Sequence, residues 1–163
     1  MFKKIAIAAT LAVLSSAAMA ADQPYFYAGA DAGSTKVEGA DRETSYGAFA
    51  GYQINENFGV EAGYRRLADT DILTGNLKVD QISLSGIGTI PLNNGFSVYG
   101  RLGYNRVTAD ADVGGVGYKD HENKALYGIG LGYAFSPTVA GRLEVQKPDG
   151  DITNVSVGVA FRF

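Results

Sequence analysis

The residues with the most evident capacity for chemistry lie between positions 110 and 122, where His121 stands among several acidic residues. The segment reads D-A-D-V-G-G-V-G-Y-K-D-H-E. Carboxylates beside an imidazole can bind a metal ion. A calcium loop of the EF-hand type, however, ends on a bidentate glutamate, and sites for other metals usually draw on further histidines. The spacing lacks that glutamate, and His121 is the only histidine. The sequence therefore predicts a solvated loop, with no metal and no cofactor.

Catalysis finds equally little support among these residues. A lipid-modifying enzyme of the deacylase or acyltransferase type would need a serine and a histidine oriented by an acid. No serine near His121 makes a convincing partner for it. The glycine runs G-I-G-L-G-Y and G-A-D-A-G do not follow the dinucleotide-binding fingerprint and do not open a helix. We therefore predict that the protein is not an enzyme.

A set of charged residues of both signs falls on the face of the chain that is otherwise glycine, alanine and serine. These residues are Asp31, Glu61, Arg65, Arg101, Arg142, Glu144 and Arg162. An unpaired charge in a narrow, poorly hydrated interior is costly, so the sequence predicts an ion-pair network across strands. Two interpretations stay open: a polar plug that fills the interior, or a small ion-conducting path.

The elements that would position these charges are strands, because apolar and small residues alternate strictly along most of the chain. The last ten residues, N-V-S-V-G-V-A-F-R-F, show the pattern most clearly. No segment after Ala20 has a convincing helical period. Eight strands are predicted, near residues 25–36, 46–52, 58–64, 78–90, 96–104, 127–133, 139–146 and 154–163.

The connections between these strands alternate in length. Short turns are predicted at residues 55–57, 91–95 and 136–138, and longer polar links at 37–42, 68–75, 110–123 and 147–151. Short turns on one side and longer links on the other are typical of outer-membrane barrels. The predicted fold is all-β, an eight-stranded antiparallel up-and-down transmembrane β-barrel with both chain ends on the periplasmic side.

The first twenty residues are set apart from this domain. Lys3 and Lys4 precede an apolar run that ends in A-M-A, the layout of a secretory signal peptide. We predict a signal peptide at residues 1–20 and one barrel domain at 21–163. The chain has 14 basic residues, two of them in this leader, against 17 acidic residues, which argues against a nucleic-acid partner. Cysteine is absent, so disulfides cannot stabilise the fold.

The direction of the two faces follows from their composition. A soluble barrel would expose lysine, threonine and glutamate, whereas the polar face here is mostly glycine, alanine and serine, which suits a crowded interior. The apolar face is then predicted to meet lipid. Tyrosines lie mostly toward strand ends, Tyr27 among them, as expected of rings at a membrane boundary. The predicted aromatic girdle comprises Tyr52, Tyr64, Tyr104 and Tyr133.

Several segments together resemble the transmembrane barrel of the OmpA family over nearly all of the chain after the leader. They are G-A-F-A-G-Y-Q-I-N, G-V-E-A-G-Y, Y-G-R-L-G, G-Y-A-F-S-P, G-R-L-E and the closing F-R-F. The resemblance implies an integral location in the outer membrane of a Gram-negative bacterium. It also implies insertion by the barrel assembly machinery, which reads a C-terminal signal at Val159, Phe161 and Phe163.

The same resemblance bears on the interior. Glu61, Arg101, Arg142 and Glu144 match charged lumen residues of that family. Two positions depart from the family: an expected lysine in the fourth strand is replaced by an uncharged residue around 86–88, and an expected glutamate in the sixth is Gly132. Carrying over a gate in which ion pairs exchange partners is therefore not justified.

These observations favour a structural protein that maintains envelope integrity, with a narrow, low-conductance pore as an added role left open. The alternative is a surface adhesin or host-interaction barrel that binds through its extracellular loops. The expected partners are outer-membrane lipid, lipopolysaccharide and the assembly machinery, and the expected state is a monomer.

Overall fold

The computed structural model describes residues 24–37, 42–72, 75–113 and 116–163, so the predicted signal peptide lies outside the described residues. The described residues form eight strands and one short 3₁₀ turn. The strands are β1 (Tyr25–Val37), β2 (Arg42–Gln53), β3 (Phe58–Ile72), β4 (Gly75–Pro91), β5 (Phe96–Val113), β6 (Val116–Ala134), β7 (Val139–Asp149) and β8 (Ile152–Arg162). The 3₁₀ turn spans Asn93–Gly95, between β4 and β5.

Each strand pairs antiparallel with its neighbours in the sequence, and β8 closes the barrel against β1. The closing register runs from Tyr27 opposite Arg162 to Val37 opposite Ile152. Closure matters because hydrocarbon offers no partner to an unpaired backbone amide, so a membrane-spanning sheet cannot keep an open edge. The predicted eight-stranded antiparallel barrel is confirmed. No helix among the described residues is long and apolar enough to span a membrane.

The two faces of the barrel differ as their composition predicts. Large apolar side chains stand exposed on the outer face, including Leu84 (66% exposed), Leu102 (73%) and Val157 (64%). Polar and charged side chains are buried inside, where Glu144 is 1% exposed and Asn154 is fully buried. This arrangement reverses that of a soluble barrel and is stable only where acyl chains cover the outer face.

Three of the four links predicted to be long are mostly paired strand, and that part of the sequence analysis was wrong. Most of the fourth, 37–42, lies outside the described residues. Strand β5 continues to Val113 and β6 begins at Val116, so only residues 114–115 separate them. Residues 73–74 separate β3 from β4, and Gly150 and Asp151 separate β7 from β8. The segments pair in register although they are polar. They lack an apolar face because a strand that has left the membrane no longer has to present one to lipid. Strand β6 has 19 residues, well beyond the roughly 9–11 that a bilayer requires.

The short turns lie where the sequence predicts them and are held by side-chain caps. The Asn55 side-chain oxygen accepts hydrogen bonds from the backbone N–H groups of Asn57 (2.9 Å) and Phe58 (2.8 Å). The Ser136 hydroxyl accepts one from the N–H of Val139 at 3.0 Å. In the third turn, Asn94 and Gly95 both have positive φ, 62° and 80°, a conformation that suits these two residue types.

Two bulges near the opposite end turn side chains into the barrel. The register of β3 against β4 shifts between Arg66 and Ala68, and Leu67 is 1% exposed. The register of β7 against β8 shifts between Gln146 and Asp149, and Pro148 is fully buried. An extra residue in one strand re-aims the side chains beside it. The bulges therefore add apolar volume to the interior near the extracellular end.

Candidate functional site: a charged cluster inside the barrel

The centre of the barrel is occupied by an arginine held between two glutamates. Arg101 on β5 lies 2.6 Å from a Glu61 carboxylate oxygen on β3 and 2.9 Å from one of Glu144 on β7. All three side chains are nearly fully buried. Alternation places each of them inward, and closure of the barrel brings together three strands that do not pair with one another. The cross-barrel contacts therefore connect opposite walls.

Arg142 on β7 joins this group to the first strand. Its guanidinium lies 2.7 Å from Glu61 Oε2 and 3.3 Å from Asp31 Oδ2. The same guanidinium sits over the ring of Phe49, 3.3 Å from the centroid. Glu61 thus pairs with both Arg101 and Arg142. Arg142 also makes a cation–π contact with Phe49. Removing Glu61 would leave two buried cations short of a partner.

A second layer lies nearer the extracellular end. Arg65 on β3 pairs with Asp31 at 2.8 Å and donates a further hydrogen bond to the side-chain oxygen of Asn154. The Asn154 amide donates to the hydroxyls of Thr35 (2.9 Å) and Ser45 (2.6 Å). Arg65, Asn154, Thr35 and Ser45 therefore satisfy one another within the barrel, as buried hydrogen-bonding groups usually do. Asp31 Oδ1 and both polar atoms of the nearby Gln81 side chain have no hydrogen-bond partner among the described residues.

Two tyrosines that the sequence analysis did not assign to the cluster complete it. The Tyr27 hydroxyl donates to Glu61 at 3.0 Å, and the Tyr99 hydroxyl donates to Glu144 at 2.7 Å. Each ring lies against a glycine, Tyr27 against Gly51 and Tyr99 against Gly130, where a Cβ atom would collide with it. These glycines are required by close approach. The expectation that Tyr27 lies at the membrane boundary was wrong, since its side chain is buried inside the barrel.

The other residues singled out from the sequence divide between the inner and outer faces. Arg162 lies apart from the central cluster, at the periplasmic mouth, with its guanidinium 5.1 Å from the ring centroid of Tyr25. Its placement in one network with the other six residues was wrong, because it sits too close to the end of β8. The residues proposed for the girdle and the C-terminal signal have outward side chains: Tyr52, Tyr64, Tyr104, Tyr133, Val159, Phe161 and Phe163.

The cluster divides the interior into two unequal parts. On the periplasmic side, a cavity of about 380 Å³ opens to the mouth and is lined by Tyr25, Gln53, Ser97 and Arg162, among others. On the extracellular side the interior is packed, and a cavity of about 20 Å³, enough for a single water molecule, lies against the cluster beside Gln81 and Arg65. We call the first part the vestibule and the second the plug. Leu67, Leu126 and Pro148 complete the packing of the plug.

This arrangement of paired charges is suited to closing the lumen. Three arginines face three carboxylates, so the cluster is neutral when all six groups are ionised. The carboxylates are engaged by arginines and tyrosines, so none is positioned as a free base. Among the described residues, no group of three or more histidine, aspartate or glutamate side chains could hold a metal ion. The cluster ties β1, β3, β5 and β7 together through the barrel axis.

Sequence comparison agrees with this architecture. A model of the family described as "Outer membrane protein beta-barrel domain" matches residues 6–163. Outer membrane protein A of Salmonella typhi is 33% identical over 192 aligned positions, which cover 98% of this chain and 54% of that protein. Outer membrane protein A of Shigella flexneri is 31% identical, with 98% and 55% covered. The chain thus spans about half the length of these relatives.

Solved structures share the fold at lower identity. Neisserial surface protein A superposes with a TM-score of 0.70 at 20% identity, covering 86% of this chain and 97% of that one. Ail, the attachment invasion locus protein of Yersinia pestis, superposes with a TM-score of 0.64 at 17% identity, covering 88% and 100%. Together with the closed register and the lipid-facing outer surface, these matches show that the chain belongs to the OmpA-like outer-membrane β-barrel family and is integral to the Gram-negative outer membrane.

Proposed function

We propose that the protein is a non-enzymatic structural barrel that supports the integrity of the outer membrane and whose lumen is closed to solutes. The observation that carries the proposal is the neutral cluster of six charges, five of them buried and Arg142 11% exposed at its side chain, that connects four strands across the lumen. Buried ion pairs resist separation, because a lone buried charge costs several kcal/mol. A lumen filled in this way supports a rigid, sealed wall.

The packing on the extracellular side of the cluster supports closure. A solute that entered the vestibule would meet Arg101 and Glu144, then Arg65 and Asn154, all nearly fully buried. Beyond these groups lie Leu67 and Leu126, each 1% exposed. Passage would require breaking ion pairs and displacing apolar side chains together. Conduction is therefore the weaker of the two roles that the sequence analysis left open.

We propose that the protein is not an enzyme because of where His121 lies. This residue is exposed on β6 and lies opposite Thr108 of β5, far along the strands from the central carboxylates. A hydrolytic triad needs a nucleophile and an orienting acid in contact with the histidine. No hydrogen bond from His121 to another described side chain supports such a group.

Biogenesis and assembly state are part of the same proposal. Phe161 and Phe163 face outward at the periplasmic end, and Phe163 exchanges backbone hydrogen bonds with Phe26 at 2.9 and 3.2 Å. Outward aromatics on the closing strand are what the barrel assembly machinery would read, and Phe163 pairs with Phe26 only when β8 closes on β1. Closure of all backbone pairs within one chain supports a monomer.

Planar-bilayer recording tests the closed lumen. The purified barrel should give no stable conductance steps, whereas the double variant Arg65→Ala/Asn154→Ala should conduct, because it removes the polar centre of the plug. Gln53→Ala, in the vestibule, is the matched control and should stay silent. Stable steps from the unaltered protein would refute closure. Silence of the double variant, with a folded barrel content that matches the control, would show that Arg65 and Asn154 are not the groups that close the lumen.

Contact with other cells is a second candidate, favoured by the extended hairpins. Strands β5 and β6 have 18 and 19 residues and stay paired to Val113 and Val116, which carries them beyond the membrane. Such paired strands offer a preordered surface at low entropic cost. Deletion of residues 112–119 should leave the barrel folded, as judged by a heat-modifiable gel shift. Loss of bacterial adherence to cultured epithelial cells in that variant would support this candidate, and unchanged adherence would remove it.

A further inference from the structure

Among the described residues, the basic side chains on the outer surface of the barrel lie at one end. Six lysine and arginine side chains project outward near the extracellular ends of the strands. They are Lys36, Arg42, Arg66, Lys78, Arg106 and Lys147, which we call the outer basic belt. At the periplasmic end, the outer strand faces that the structure describes include no lysine or arginine. The protein is acidic overall, so composition alone does not explain the distribution.

Few carboxylates accompany the belt on the same face. Asp80 is the one acidic side chain described on the outer strand faces at this end, and it pairs with Arg66 at 2.9 Å. Arg106 donates to the Asn123 side chain at 3.1 Å, and Lys147 donates to the Gly150 carbonyl at 3.3 Å. Both partners are neutral. Most of the positive charge of the belt is thus not neutralised by the described part of the chain.

Lys36 and Arg42 make the imbalance sharpest. They lie directly opposite each other in the pairing of β1 with β2, and both are exposed on the outer face. Like charges at directly opposite positions destabilise a strand pair. Neither makes an ion pair with another described residue. An anion between the two side chains would convert this repulsion into two attractive contacts.

The belt lies at the level of the lipid headgroups. Arg42 lies four residues beyond Tyr46 on one face of β2, and Arg106 lies two residues beyond Tyr104 on β5. Lys147 is directly opposite Tyr127. These tyrosines are exposed on the outer face and mark the boundary of the hydrocarbon. Side chains that extend past this boundary reach the headgroup layer while their aliphatic stems cover apolar wall.

A groove in the outer wall continues from Lys147 toward the membrane centre. It encloses about 700 Å³ and is lined by Tyr127, Leu102, Ile129 and Phe58, among others. The outward glycines Gly88 and Gly100 contribute no side chain to it. An acyl chain would fit this apolar depression while its headgroup remained beside Lys147. The groove thus points to a lipid rather than to a soluble anion.

We infer that the outer basic belt binds the phosphate groups of lipid A in the outer leaflet. The inference deepens the structural role proposed above by naming the lipid that the barrel would anchor. Phosphates carry the charge that the belt lacks, and each basic side chain near an anionic surface adds attraction that salt screens. Bilayer recording tests only the lumen, so its result does not bear on the belt.

The test measures lipid A bound to the purified barrel by native mass spectrometry after exchange into mixed micelles. The probes are hexa-acylated diphosphoryl lipid A, the same lipid after removal of both phosphates, and phosphatidylglycerol. The unaltered protein should retain the diphosphoryl form in preference to the other two. Lys36→Gln/Arg42→Gln and Arg106→Gln/Lys147→Gln should each weaken that binding by about tenfold or more.

Lys124→Gln/Arg162→Gln is the matched control, because it removes the same charge from inward-facing side chains. Lys124 pairs with Glu122 at 2.9 Å, and Arg162 lies at the periplasmic mouth. The control should bind diphosphoryl lipid A within about twofold of the unaltered protein. Equal binding by the belt variants and the control would overturn the inference, as would equal retention of the phosphorylated and dephosphorylated lipids by the unaltered protein. Preference for phosphatidylglycerol would assign the belt to phospholipids and overturn it as well.

Discussion

The two halves of the lumen solve the same problem of filling a narrow barrel in opposite ways. In the plug, long polar side chains such as Arg65 and Asn154 satisfy one another, and the cavity beside Arg65 has a volume of about 20 Å³. In the vestibule, small residues such as Ala140 and Ala160 leave about 380 Å³ open to the periplasm. Both halves are built from the same eight strands. The difference shows that one well-packed layer is enough to close the barrel, and that the vestibule carries little of the stability.

The largest effect is expected in the central layer of charge, where one carboxylate pairs with two arginines. Glu61→Ala should lower the free energy of unfolding by about 3–5 kcal/mol, because it leaves Arg101 and Arg142 buried without one of their carboxylates. Thermal unfolding in detergent, followed by the heat-modifiable gel shift, measures the loss. Glu56→Ala, on an exposed periplasmic turn, is the control and should melt like the unaltered protein. Equal melting of the two variants would mean that the cluster does not stabilise the barrel.

Within the plug, Asn154→Ala should cost about 2–3 kcal/mol. The substitution removes the acceptor of Arg65 and the donor to Thr35 and Ser45, and it leaves those buried groups unsatisfied. Urea titration of the barrel in lipid vesicles gives the difference. Asn57→Ala is a useful comparison, because that side chain makes one hydrogen bond at a partly exposed turn. A smaller loss for Asn154→Ala than for Asn57→Ala would contradict the assignment of stability to the plug.

Glycine substitutions separate the inner face from the outer. Gly130→Ala should destabilise the barrel by about 1–2 kcal/mol, since its Cβ would displace the Tyr99 ring and with it the bond to Glu144. Gly88→Ala should be neutral or slightly stabilising, because nothing lies within 4 Å of its Cβ position. Melting of the two variants side by side measures the contrast. Similar losses for both would show that backbone freedom, rather than ring packing, requires glycine at position 130.

The smallest effect is expected in the vestibule. Ala140→Val adds volume beside an open cavity, so the change in unfolding free energy should stay within about 0.5 kcal/mol. The same urea titration in lipid vesicles measures this change in unfolding free energy. Ser85→Val, beside the central cluster, adds comparable volume at a residue that is 3% exposed, removes a hydrogen bond accepted from Arg101 at 3.4 Å, and should be clearly destabilising. The two halves would be equivalent in packing if both substitutions cost the same.

Much of the fold and part of the site could be predicted from the alternation of apolar and small residues along the strands. Because side chains alternate along every strand, the sequence places Glu61, Arg101, Arg142 and Glu144 inside without further information, and the structure brings these four together. The same rule could have placed Tyr27 inside, since it shares its face of β1 with Asp31. The prediction for Tyr27 rested on its aromatic ring instead of its position on the strand. It therefore missed that Tyr27 and Tyr99 belong to the cluster.

Other features depend on three-dimensional register, which alternation does not supply. Arg162 faces inward like the members of the network. It lies at the periplasmic mouth of the barrel, however, away from the carboxylates of the cluster. Leu67 and Pro148 enter the plug only because bulges shift the pairing around them. The polar ends of β5 and β6 look like a loop in the sequence, because pairing beyond the membrane leaves no apolar stripe to recognise.

The division of the lumen can be tested most directly by solvent access to single cysteines, since the chain has none of its own. Ser97→Cys places a thiol in the vestibule, and Ser45→Cys places one in the plug, where the native serine is fully buried. A small charged methanethiosulfonate reagent applied to the folded barrel should label position 97 rapidly and leave position 45 unreacted until the protein is unfolded. Rapid labelling of position 45 in the folded barrel would contradict the account, because water and solutes would then reach the layer that is meant to close the lumen.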